Sequence, residues 1–210
     1  LRKTLAENPQ LLGVYVGWEP NAFDDLDQFY EGTEGNGYDG SGRFIPWWFR
    51  NADGSLELDA LSGLESHTRL DTGVREGEYY LCPQETLRPC VVDPAPYEMG
   101  NDTVMLASFT VPILEDGEFR GIAGADLSVN FVQGMLERSN ASLYNGQGRQ
   151  ALISANQRLV AYSGARARPG DPASSILDRE QQQMLAQAGS EMSYRVDHAG
   201  GQINLMLPIS

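Results

Sequence analysis

Hydrophobic positions along the chain fall in short alternating or continuous runs, not in long helical stripes, and so predict a molecule built largely from strands. The first dozen residues are an exception. Leu5, Leu11 and Leu12 are apolar with charges between them and read as the tail of a helix. LLGVYVGWE (11–19) follows as a strand rich in β-branched and aromatic residues. PNAFDDLDQFYEGTEGNGYDGSG (20–42) is polar and glycine-rich and predicts a long loop, a kind of segment that in compact domains usually carries function. Its GNGYDG is formally a G-x-G-x-x-G, but turn residues follow where a phosphate-binding loop opens a helix, so no nucleotide site is predicted.

Beyond a tryptophan pair at 47–48, GSLELDAL (54–61) alternates as a half-exposed strand. GEYYLC (77–82) and PCVVDP (89–94) read as the arms of a hairpin. TVMLASFTVPIL (103–114) predicts a buried strand, EDGE a tight turn, and FRGIAGADLSV (119–129) the strand that returns. FVQGMLERSN (131–140) predicts a short helix with Phe131, Met135 and Leu136 on one face. The pattern then restarts on a smaller scale. RQALISANQRLVAYS is strand, turn and strand; SSILDREQQQMLAQAG is a helix with a glycine stop; EMSYRVDHAGGQINLMLPI is a closing hairpin around Gly200–Gly201. The class is therefore α+β, with a first unit over 1–128 and a smaller second unit over 129–210.

Hydrophobic residues make up 41% of the 210, enough for a real core. No run approaches the ~18 apolar residues of a membrane span, and no signal peptide is visible. The chain opens inside a helix and reads as a fragment of a longer protein. Charge changes the picture once it is divided: residues 1–128 hold 23 acids and 8 bases, a net of −15, whereas 129–210 hold 6 acids and 7 bases, a net of +1. So acidic a first unit repels nucleic acid and favours a cationic partner.

Little else points to chemistry. His67 and His198 lie in polar, turn-like settings with no nucleophile motif nearby, and the carboxylate clusters FDDLDQ and LEDGEF lack the spacing of a calcium loop. Cys82 and Cys90 fit no zinc pattern; they are either a disulfide across the expected hairpin or two buried thiols. No metal, cofactor or enzymatic activity is predicted. What remains is Trp47, Trp48, Tyr97 in DPAPYEMG, and Asp126 near the end of an apolar strand. A carboxylate there caps the following LSVNF or forms the anionic floor of a pocket.

WEPNAFD, GRFIPWW, DPAPYEMG and VMLASFTVPILEDGEFRGIAGADLS together resemble the double Cache sensor domain of bacterial transmembrane receptors, most closely that of methyl-accepting chemotaxis proteins. The resemblance covers residues 1–165 well and the remainder weakly. It implies a long N-terminal helix and two stacked PAS-like (Cache) lobes, each an antiparallel sheet flanked by helices. It also implies a ligand in the membrane-distal lobe, a periplasmic location, an inner-membrane parent, and a homodimer formed through the N-terminal helix. Amino-acid-binding members are similar to one another in carrying an arginine just before P-W-Y, which clamps the carboxylate, and an aspartate after the tyrosine of the P-Y turn. Here Trp47, Trp48, Tyr97 and Asp126 match the pattern, while Ile45 stands in place of the arginine and Met99 in place of the turn aspartate.

Without the arginine the site loses its bidentate carboxylate fork. With the aspartate and aromatics it keeps a cation-binding set. The expected ligand is a small amine without a carboxylate, putrescine-like or histamine-like, as in the polyamine-binding branch that WEPNAFD resembles. A diamine needs a second anion, for which Asp93, Asp39 and Glu19 are the candidates. The competing readings are a purine or amino acid on the same fold, a secreted hydrolase, and an interaction lobe without a ligand.

Overall fold

The computed structural model describes all residues except 34, 100–101, 155, 188–192, 198–201 and 207–210. Helix α1 spans Arg2–Glu7 and buries Leu5 completely. It is shorter than the dozen residues expected because Asn8 precedes Pro9 and leaves helical geometry at φ −123°, ψ 85°, as residues before proline are driven to do. Strand β1 (Leu11–Trp18) follows, then the long loop, which carries the single turn α2 (Asp27–Tyr30). Strands β2 (Pro46–Arg50) and β3 (Leu56–Ala60) complete an antiparallel meander. Helix α3 (Glu78–Thr86) leads to a second meander, β4 (Cys90–Met99), β5 (Asp102–Glu115) and β6 (Glu118–Ser128).

The strand order is β3-β2-β1-β6-β5-β4 and every pairing is antiparallel. The first and last strands of the sheet therefore meet at its centre, and β3 and β4 are opposite edges. Residues 61–89 must cross the whole sheet, and they do so over one face, carrying α3 with them. This crossing creates the core. Tyr15 and Ile122 from the sheet, with Ile45 just before β2, pack against Leu64, Tyr79 and Tyr80 from the crossing. The β5–β6 turn is as expected, with Asp116 and Gly117 both at positive φ, the geometry of a two-residue hairpin loop.

The crossing also corrects the expected hairpin. GEYYLC is not a strand but most of α3, which starts after Gly77 and ends at Leu87 in the left-handed conformation. Its apolar run is buried because α3 lies on the core, a setting in which a short apolar stretch fits helix and strand alike. Cys82 and Cys90 do form a disulfide, with Cα atoms 6.2 Å apart, but it ties the end of α3 to the start of β4.

Helix α4 (Val129–Ser142) follows β6 without a loop, capped by Ser128, whose hydroxyl accepts from the Phe131 amide. Its buried residues are Val129 and Val132; Phe131 and Met135 are exposed and Leu136 is half-buried, so the predicted face is rotated. The cause is Gln133, whose amide exchanges two hydrogen bonds with the Tyr162 backbone and fixes the face turned to the next hairpin. That hairpin is β7 (Ala151–Ile153) with β8 (Leu159–Tyr162). Helix α5 (Arg179–Gln187) starts later than its apolar pattern because Asp178 and Gln181 form a reciprocal capping box. Strands β9 (Ser193–Asp197) and β10 (Gln202–Met206) pair as expected, while His198 and the Gly200–Gly201 turn lie outside the described residues. No described helix is long and apolar enough to cross a membrane.

Candidate functional site

Side chains two residues apart on a strand share a face, so the register fixes what meets under α3. Ser108 pairs with Asp126 and Asp126 with Gly13; one step along, Thr110 pairs with Gly124, Gly124 with Tyr15, and Tyr15 with Trp47. Asp126 is only 4% exposed. Its Oδ1 accepts from the Ser108 hydroxyl at 2.7 Å and its Oδ2 from the Trp47 indole Nε1 at 3.1 Å. The indole comes from β2 and reaches across β1 to do this. Only a glycine at 13 permits it, because a Cβ there would strike both the carboxylate and the indole nitrogen. A Cβ at Gly124 would strike the Tyr15 ring in the same way.

Aromatic rings complete the surroundings. Tyr79 descends from α3, edge-on to Tyr15 at 5.6 Å and to Tyr97 of β4 at 6.5 Å between centroids. Its hydroxyl donates to the Ser62 carbonyl at 2.6 Å. Burial pushes the Asp126 carboxyl up to about 6, against the opposing pull of the Ser108 and Trp47 donors. Burial also raises the phenols of Tyr15, Tyr79 and Tyr97, and the negative charge of Asp126 adds to each shift. Among the described residues no cation forms an ion pair with Asp126. Three buried hydroxyls, those of Tyr15, Tyr97 and Thr110, have no hydrogen-bond partner there. A buried carboxylate without a counter-ion, beside aromatic faces and idle hydroxyls, is suited to hold a cation that also donates hydrogen bonds.

Of the residues singled out in the sequence, the structure brings Trp47, Tyr97 and Asp126 together. Met99 is buried with Phe49 and Leu106 against Tyr97 and Trp47, a wall and not an anchor. Ile45 is core, 1% exposed. Trp48 is not part of this group. It points to the opposite sheet face, under the Arg2 guanidinium at 5.5 Å, and lines an open groove of about 380 Å³ with Trp18, Phe23, Phe44 and Leu58. Glu19 accepts from Tyr80 and Gln84 and lies 3.8 Å from the buried Arg43 guanidinium, so its charge is engaged. Asp39 folds a turn, accepting from the Ser41 amide and hydroxyl and the Arg43 amide. Asp93 is buried at 5% in the β4 irregularity between Val92 and Ala95, and its carboxylate has no hydrogen bond or ion pair among the described residues.

Sequence reasoning missed Ser108, Gly13, Tyr15, Tyr79 and Thr110. Gly13, a glycine inside a strand pattern, did carry a signal of close backbone approach. The others read as ordinary strand or helix positions.

No protein-family model matches the chain. It is 31% identical over 180 residues, 82% of its length, to the methyl-accepting chemotaxis protein TlpQ of Pseudomonas aeruginosa. The chain is homologous to part of a chemoreceptor. It spans 25% of that relative's length. The fold agrees. The extracellular domain of mmHK1S-Z3, provisionally assigned as a histidine kinase, superposes with a TM-score of 0.70 at 24% identity, over 98% of this chain and 70% of that one. The periplasmic sensory domain of the Campylobacter jejuni chemoreceptor Tlp1 superposes with a TM-score of 0.62 at 11% identity, over 97% of this chain and 68% of that one. The α+β architecture of the chain is thus the fold of these sensory domains.

Proposed function

We propose that the chain is the periplasmic sensor region of a membrane-anchored chemoreceptor and binds a small cationic amine through Asp126. The observation that carries this reading is the buried Asp126 carboxylate, hydrogen-bonded by two donors yet without a cation partner among the described residues. An ammonium placed there gains a charge-assisted hydrogen bond and the faces of Trp47, Tyr15, Tyr79 and Tyr97. The idle hydroxyls of Tyr15, Tyr97 and Thr110 are acceptors for its remaining hydrogens. Asp93 is the candidate second anchor. It follows Val92, which lies opposite Ser108, itself opposite Asp126, so the two acidic positions are two strands apart. Two strand spacings are about 10 Å, within reach of an extended diamine whose two nitrogens each add a hydrogen bond. The net charge of −15 over residues 1–128 attracts cations toward this unit.

In this reading residues 1–128 are the ligand-binding distal lobe and 129–210 the membrane-proximal lobe. Asp126 lies two residues before Ser128, the cap of α4, so a shift of the carboxylate on β6 passes directly to the helix that opens the proximal lobe. Pairing of receptors through the N-terminal helix completes the proposal.

Calorimetric titration with putrescine, histamine, the common amino acids and adenine tests it. Putrescine or histamine binds the wild-type chain and not the Asp126→Asn variant. Tight binding of ordinary amino acids or adenine with none of either amine would replace this reading, and turnover of any substrate would replace it with an enzyme.

A further inference from the structure

We propose that Ser108 is the residue that keeps Asp126 ionised and oriented for a cation, and thereby sets the charge class of ligand that this site accepts. This rests on the reading of Asp126 as the ammonium anchor. Ser108 is 2% exposed and its hydroxyl meets Oδ1 of a carboxylate that is itself 4% exposed. At 2.7 Å the hydroxyl donates to this carboxylate, the stronger acceptor beside it, with the neutral Tyr15 phenol as its other polar neighbour. Ser108 stands directly opposite Asp126 on the neighbouring strand, and the pair is held by the β5–β6 ladder on both sides. Trp47 occupies the other oxygen. The two donors leave each oxygen one free lone pair and turn both in a fixed direction. Ser108 touches the anchor and not the ligand, so it acts as a positioning residue.

Among the described residues, Ser108 and Trp47 are the groups that favour the charged form. Tyr15 from β1, Tyr79 from α3 and Tyr97 from β4 face Asp126 and are neutral through the physiological range, since burial and the carboxylate both raise their phenols. Farther out, Glu76 and Glu78 act on these tyrosines with the same sign as Asp126, and Arg43 acts on Tyr79 with the opposite sign while engaged with Glu19, Glu65 and Tyr80. Burial opposes ionisation, and two hydrogen bonds oppose burial. Removing one tips the balance toward a neutral carboxyl, which has no preference for an ammonium.

The test uses the whole chain, with two readouts. The first is the titration of the Asp126 side-chain carbon by NMR, with no amine present. The second is the affinity for putrescine between pH 5 and 8.5. Ser108→Ala raises the carboxyl titration by about one to two pH units, the worth of one hydrogen bond to a charged group. The putrescine profile moves by the same amount, so affinity falls roughly twofold to tenfold at pH 7 and recovers by pH 8.5. Ser108→Thr, which keeps the hydroxyl, restores both, and Ser108→Cys, a weaker donor of similar volume, moves both part of the way. An unmoved carboxyl titration in the Ala or Cys variant, or an affinity loss equal at every pH, overturns the role of Ser108. A moved carboxyl titration with no amine binding by the wild type upholds Ser108 and overturns the amine reading instead.

Discussion

Replacing Asp126 with asparagine should make the protein more stable at neutral pH while removing its proposed function. A carboxyl raised from 3.8 to about 6 by burial is a buried charge that the fold tolerates at a cost. Each pKa unit corresponds to about 1.4 kcal/mol, so the shift of about two units corresponds to roughly 3 kcal/mol at pH 7. The sign is opposite to that of a salt-bridged carboxylate. Between the unfolded and folded values the folded state holds the proton more tightly, so this group's contribution is full below about pH 4 and is lost as pH rises through about 6. Asparagine keeps the shape. Its amide oxygen accepts from the Trp47 indole and its amide nitrogen donates to the Ser108 oxygen, so both existing contacts survive without the charge. Urea unfolding of both proteins across pH 4 to 8 reads the difference directly. The expected gap is near zero at pH 4 and grows to as much as about 3 kcal/mol in favour of the variant at pH 7. Comparing the two proteins at each pH cancels every other titrating group. Saturating putrescine should then raise the midpoint of the wild type alone. A variant less stable at neutral pH, with a gap flat across the range, would refute the claim that burial of this charge dominates the site.

Other substitutions probe neighbouring parts of the argument. Gly13→Ala inserts a Cβ into the Asp126 carboxylate and the Trp47 indole; it should cost about 1–3 kcal/mol of stability and weaken amine binding more than tenfold, read by urea unfolding and titration. Trp47→Phe keeps a ring face but removes the donor to Oδ2, and the Asp126 titration should rise while the fold stays intact by circular dichroism. Breaking the Cys82–Cys90 bridge with reductant or by Cys82→Ala/Cys90→Ala should cost about 2–3 kcal/mol in unfolding experiments, as expected for so short a closed loop. Amine affinity should fall as sodium chloride rises, because the acidic unit attracts its ligand over distances that salt screens.

How much of this was legible beforehand depended on whether the relevant contact is local. Strands β1, β5 and β6 and the Asp116–Gly117 turn were readable because alternation and turn chemistry are properties of adjacent residues. Helix α3 was not. EYYLC offers four hydrophobic residues in a row, a pattern compatible with either element, and what decided it was the need to carry the chain from one sheet edge to the other. The rotated face of α4 has a similar origin. Phe131 and Met135 are more hydrophobic than Gln133, yet two hydrogen bonds between the Gln133 amide and the Tyr162 backbone, one donated and one accepted, set the face, and that partner lies 29 residues away.

The site divides along the same line, and the tryptophan pair shows why. Adjacent residues on a strand face opposite ways, so one of Trp47 and Trp48 had to leave the site whatever the ligand, and only the register of β2 against β1 decides which. That register puts Trp47 opposite Tyr15 and over Gly13, so its indole reaches Asp126 and Trp48 turns to the other face. The acidic candidates divide by a different criterion. Glu19 and Asp39 are conspicuous in the sequence, but each is consumed by the long loop it helps to fold, Glu19 beside Arg43 and Asp39 in its own turn. An engaged carboxylate gains little from an ammonium. Asp126 gains more than its charge alone suggests, because a cation there relieves the desolvation that raises its carboxyl to about 6. Binding should therefore lower that value, and below pH 6 the chain should release up to about one proton for each amine taken up. Calorimetry at pH 5.5 in two buffers of different ionisation enthalpy measures this release. A binding enthalpy independent of the buffer would mean that the cation settles somewhere other than on Asp126.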